Sequence, residues 1–142
     1  MLRAVAFLLL AGVSAAGLHA EELPFHVVVH PSNPVTSLTR AELSAIFMKR
    51  TRSWPDGSEI VAADRPASAR VRGHFSRAIH GKRVAYVIRY WQRLIFAGRG
   101  IPPREFPSDA AVLDFVRANR GAIGYIDRTM TPDGVKTIAV TP

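Results

Sequence analysis

The chain contains no cysteine. A disulfide framework, a thiolate metal site and a cysteine nucleophile are all excluded, and the fold must hold by packing alone, even in an oxidising compartment. Long apolar runs are also missing, since no segment reaches the roughly 20 residues that a membrane-spanning helix needs. Acidic side chains are scarce, 11 against 19 lysines and arginines, for a formal net charge of +8. The sequence also has no Gly-x-Ser-x-Gly elbow, no Ser-x-x-Lys and no His-Glu-x-x-His. Gly98-Arg99-Gly100 runs into Pro102-Pro103 instead of a helix, so it is not a dinucleotide fingerprint. No residue stands out as catalytic, and nothing calls for a cofactor.

The histidines do not supply a metal site. His26 and His30 fall on one face of a strand but about 13 Å apart, too far to share an ion. His74 and His80 are six residues apart, which puts them on different faces of a helix.

What is present begins with a targeting pattern. Arg3 gives a positive start, Ala4 to Val13 an apolar stretch, and Gly17-Leu18-His19-Ala20 a small-residue exit. Residues 1–20 therefore read as a signal peptide cut after Ala20, with a cut after Ala15 as the weaker alternative. Residues 21–142 are then a single exported domain with no transmembrane segment, periplasmic in location. Losing Arg3 leaves a net charge of +7, which attracts anions in general; export argues against nucleic acid as that partner.

Strands and helices alternate along the domain. Phe25 to His30 is β-branched and almost continuously apolar, as in a strand buried on both faces. Thr39-Arg40-Ala41-Glu42 is a capping box that opens a helix with Ala41, Leu43, Ile46 and Phe47 turned inward. Trp54-Pro55-Asp56-Gly57 is a turn. Val84 to Ala97 predicts a helix with Val84, Val87, Ile88, Trp91, Leu94 and Ile95 as its apolar stripe, ended by Gly98 and Gly100. Asp109 to Asn119 predicts another, with Val112, Phe115 and Val116 inward, and strands follow at 122–126 and 135–140. This alternation implies an α/β domain with a mostly parallel sheet flanked by helices. Tyr86, Tyr90 and Trp91 among Arg83, Arg89 and Arg93 read first as the stripe and its amphipathic border, and otherwise as a surface for a protein partner.

The chemistry concentrates between Ile60 and Phe75. A short strand leads through Arg65-Pro66-Ala67 into a helix expected to start at Ser68, whose hydroxyl suits an N-cap. Arg70 and Arg72 then fall at the positive end of the helix dipole, where a cation costs about 0.3–1 kcal/mol at an exposed site. The starts at Thr39 and Ser108 carry carboxylates instead. Three guanidinium groups at one helix start become favourable when an anion lies among them, so this corner reads as an oxyanion site.

Several pieces resemble one family, the substrate-binding proteins of periplasmic phosphate transporters and their binding-protein-like relatives. They are Leu38 to Phe47, Trp54-Pro55-Asp56-Gly57, the Arg65-to-Ser68 turn with Phe75 behind it, and Gly121-Ala122-Ile123-Gly124-Tyr125. The resemblance implies that a phosphate-like oxyanion is held by Arg65 and Ser68, with the backbone amides of Ala69 and Arg70 pointing at it and Arg70 or Arg72 as an outer clamp. Ala69 and Arg70 stand where the family has Gly and Thr. The match extends over essentially one lobe of a two-lobed fold, so a second copy, a transporter or another envelope protein would complete the site. On this reading Arg65→Ala abolishes anion binding and leaves the fold intact. The competing expectation is an envelope protein–protein interaction module that keeps the fold without a small ligand.

Overall fold

The computed structural model describes residues 22–142, so the expected signal peptide lies outside the described residues. The chain is built as β1 (Phe25–Val29), β2 (Ser37–Thr39), α1 (Arg40–Phe47), β3 (Val61–Asp64), α2 (Arg70–Phe75), α3 (Val84–Phe96), β4 (Arg104–Glu105), α4 (Asp109–Ala118), β5 (Ala122–Asp127) and β6 (Lys136–Thr141). A π-helical turn, Ser76–His80, continues α2. Six strands form one sheet in the order β2-β6-β1-β5-β3-β4. Three pairs are parallel, β2 with β6, β3 with β5 and β3 with β4; β1 runs antiparallel to both of its neighbours. The domain is thus α/β with a mixed, mostly parallel sheet, and β3, β4 and β5 end on the same side.

Helices cover both faces. Against one face, Phe25, Phe47, Phe75 and Tyr125 pack together from β1, α1, α2 and β5. Phe75 stacks on Tyr125 with 3.9 Å between centroids and 6° between planes. Each such buried ring contributes on the order of 1.5–3 kcal/mol by leaving water. Against the other face, α4 sets Val112, Leu113 and Val116 on Val28, Ala63 and Ile126. Gly124 is required here, because a Cβ at that position would come within 2.7 Å of Val112 Cγ1.

Local signals account for the element starts. Thr39 and Glu42 form the capping box, and the Ser108 hydroxyl accepts from the Ala111 amide. The Trp54-to-Gly57 turn closes through the Gly57 amide, and Trp54 Nε1 donates to the Gly121 carbonyl at 3.0 Å, fixing that loop to the start of β5. Gly81 ends the π-turn at φ 64°, the left-handed region that glycine adopts without a Cβ penalty. Two inward assignments fail. Ala41 is exposed, since α1 presents only Leu43, Ile46 and Phe47 to the core. On α3 only Val87 and Trp91 are buried; Ile95 is 52 % exposed because the helix rides on the edge of the domain, packing Trp91 against Met48.

Candidate functional site

The corner after β3 is organised differently from the way its local sequence reads. The helix begins at Arg70, not Ser68, and its N-cap is Ala69, which makes no side-chain cap. A turn closed by the Ala69 amide on the Pro66 carbonyl, 2.9 Å, takes up residues 66–69. Ser68 is therefore exposed at the tip of that turn with its hydroxyl unpartnered among the described residues. The Ala69 amide, expected to face a ligand, is occupied by the turn itself. The amides of Ala67, Ser68, Arg70 and Val71 have no acceptor among the described residues.

The three arginines also divide. Arg65 is buried, its Nε donating to the Phe106 carbonyl at 3.1 Å and its Nη1 to Asp109 of α4. Arg72 is buried as well. It donates to the Arg65 carbonyl at 2.6 Å and to Glu105 at 3.0 Å, and its Nε lies 3.5 Å from Asp64. Only Arg70 is exposed, with no ion pair or hydrogen bond among the described residues. Ser68 on the turn and Arg70 at the first position of α2 are thus both exposed, while Arg65 and Arg72 lie buried beneath as braces. The expected mutual repulsion is absent because Asp64, Glu105 and Asp109 compensate the two buried cations.

Asp64, Glu105, Asp109 and Tyr125 are the residues that local reading missed. Asp64 carried a signal, since an acid ending a buried strand beside Arg65 needs a partner. Its carboxylate accepts from the Arg65 amide at 2.8 Å and from the Tyr125 hydroxyl. Burial pushes the Asp64 carboxyl above the ordinary range, while Arg72 and the Tyr125 hydrogen bond pull it back. Tyr125 is pushed up, first by burial and then by the Asp64 charge. On the π-turn, burial followed by the charges of Arg72 and Arg50 lowers His80 to about 4. Its Nδ1 pairs with the Ser44 hydroxyl at 2.8 Å. Among the described residues no group of three His, Cys, Asp or Glu side chains is placed to hold a metal ion.

Two cavities adjoin this region. One, of about 520 Å³, lies between α3 and the ends of β3 and β4; its wall includes Ala67, Arg72, Ile88, Trp91, Ile95 and Arg104. The other, of about 790 Å³, opens on the far side of the Pro102-Pro103 segment. No helix of the described residues is long and apolar enough to cross a membrane.

A family model described as "PBP superfamily domain" matches residues 23–139. Among solved structures, the chain is similar to a putative phosphate ABC transporter substrate-binding protein with bound phosphate from Clostridium perfringens. That pair shares 20 % identity at a TM-score of 0.67, over 82 % of this chain and 44 % of the other. An ABC-type phosphate transport receptor from Vibrio cholerae gives 22 % and 0.65, over 82 % and 46 %. A possible phosphate binding protein from Planctomyces limnophilus gives 17 % and 0.64, over 83 % and 41 %. The chain spans less than half the length of these structures, and at such identities the likeness is one of fold. The search of curated proteins finds no match.

Proposed function

The chain belongs to the PBP superfamily domain family, and from that premise we propose that it is an exported, single-lobe binding protein for a small phosphate-like oxyanion, not an enzyme. The anion lies on the 66–69 turn and the first residues of α2. Ser68 donates its hydroxyl, the amides of Ser68, Arg70 and Val71 donate alongside it, and the Arg70 guanidinium supplies the facing charge. Arg65 and Arg72 act from below, holding the turn in place through Asp109, Asp64 and Glu105, and Ala69 contributes the amide that closes it. The observation that carries this reading is the turn itself. It stands at the carboxyl end of parallel strands, where open α/β sheets place ligands, with its outward donors unpartnered among the described residues. A second lobe, from another copy or an envelope or transporter protein, would complete the enclosure.

The test is isothermal titration calorimetry of the purified protein with phosphate and with sulfate at low ionic strength, since salt screens exposed charges. Saturable one-site binding, weakened in Ser68→Ala and again in Arg70→Ala, is expected. Heats that ignore both substitutions would remove the turn from consideration.

A second reading, an envelope protein interaction module, is favoured by one observation. Ile95, Phe96 and Ile101 are 52 %, 92 % and 77 % exposed at one end of α3, an apolar display of the kind found at protein contacts. Phe96→Asp tests it, by abolishing co-purification with an envelope protein while leaving phosphate binding as it was.

A further inference from the structure

The 520 Å³ cleft is built for something larger than a bare oxyanion. Its volume falls within the range of about 300–1,000 Å³ that accommodates organic ligands. One wall comes from α3, where Ile88, Trp91 and Ile95 follow one another at helical spacing with Gln92 beside them. The floor is charged and carries one cation against two carboxylates, Arg72 being paired with Glu105 at 3.0 Å and lying 3.5 Å from Asp64. Arg104, on the rim, is the one lining cation without a carboxylate partner among the described residues; its guanidinium lies 4.8 Å from the Phe106 ring. That surplus of carboxylate on the floor disfavours a second anionic group on the ligand body. Ala67, which lines the cleft, belongs to the same turn as Ser68, immediately before Arg70 at the start of α2.

We propose that the ligand is an organic anion, such as a phosphate monoester, whose charged group sits on the turn and whose neutral apolar body lies in the cleft against Ile88, Trp91 and Ile95. The proposal rests on the reading of the turn given above and adds the substrate class. The ring or chain of the ligand replaces water on the α3 face. Affinity then rises with the size of the apolar group, as it does wherever apolar surface is removed from water. An inorganic oxyanion would use only the turn.

Calorimetry with the purified protein against inorganic phosphate, phenyl phosphate and benzyl alcohol separates the two ideas. Phenyl phosphate is expected to bind roughly tenfold or more tightly than phosphate, and benzyl alcohol only weakly, because burying a ring adds several methylene equivalents of apolar area. Ile95→Asp, at a position half exposed and tolerant of change, should remove the advantage of phenyl phosphate and leave inorganic phosphate unaffected. Ile88→Ala should remove part of it. Equal affinity for the two anions, or an advantage that survives Ile95→Asp, would overturn the cleft and leave the turn standing. Absence of binding by both anions would overturn the turn and the organic ligand together. Tight binding of benzyl alcohol, undiminished in Ser68→Ala, would overturn the anionic assignment.

Discussion

The Tyr125 hydroxyl donates a hydrogen bond to the buried carboxylate of Asp64, joining β5 to β3 directly under the candidate binding turn. Tyr125→Phe keeps the ring that stacks on Phe75 and deletes only the donor. A buried charged acceptor that loses one donor destabilises the fold by about 1–3 kcal/mol. Urea denaturation should show that loss as a lower midpoint with an unchanged slope; a midpoint equal to that of the parent would mean that the bond contributes nothing.

Arg65→Ala is expected to act differently from the way the sequence suggested. Local reading made it the main ligand contact, so that Arg65→Ala would spare the fold. Its guanidinium is instead enclosed between the Phe106 carbonyl and Asp109. Truncation leaves Asp109 without its cation, and breaking a buried pair from one side typically costs about 3–5 kcal/mol. A thermal melt of Arg65→Ala should be shifted down strongly, whereas Ser68→Ala and Arg70→Ala should melt like the parent.

That contrast marks how far the sequence reaches. The capping box at Thr39, the N-cap at Ser108 and the strands at Phe25, Val61, Ala122 and Lys136 are all set by residues a few positions apart, and all were legible. The N-cap moved by one residue, from Ser68 to Ala69, because Pro66 and Ala69 close a turn that takes in Ser68. The two-residue strand β4 has no periodicity to read; it exists because Arg104 and Glu105 lie beside Ala63 and Asp64. Two of the carboxylates that pair with Arg65 and Arg72, Asp109 and Glu105, lie 44 and 33 residues away along the chain, so an inspection of the arginines alone registers their charges and not all of what compensates them.

Acid should weaken the protein through His80. Its pKa falls from 6.5 in the unfolded chain to about 4 in the fold, so the unfolded state binds the proton first. The stability associated with neutral His80 is complete above pH 6.5 and is lost as pH falls toward 4, by at most about 3 kcal/mol. Asp64 works in the opposite sense: its pKa is raised, so its contribution is lost as pH rises from 3.8 through the folded value. Denaturation midpoints measured from pH 4 to 7 should therefore rise less steeply in His80→Gln than in the parent. Parallel profiles would exclude His80 as the cause.

Two glycines of β5 and its approach should differ in severity. A Cβ at Gly121 would lie 2.2 Å from the Glu59 carbonyl oxygen, a backbone atom that cannot rotate away. At Gly124 the obstacle is the Val112 side chain, and overpacking of that kind costs about 1–3 kcal/mol. Gly121→Ala is expected to lower the melting temperature more than Gly124→Ala. The reverse order would show that the Trp54 loop can shift.

The position of β1 in the sheet has a consequence for the order of events in time. β1 is the first of the described strands along the chain and lies inside the sheet, and both of its neighbours, β5 and β6, come from residues 122–141. β1 therefore has no strand to pair with until that distant segment is in place. Contacts that span so much sequence form slowly. The sheet therefore closes around β1 only when the segment from Ala122 to Thr141 has folded onto it, whatever local structure forms earlier along the chain.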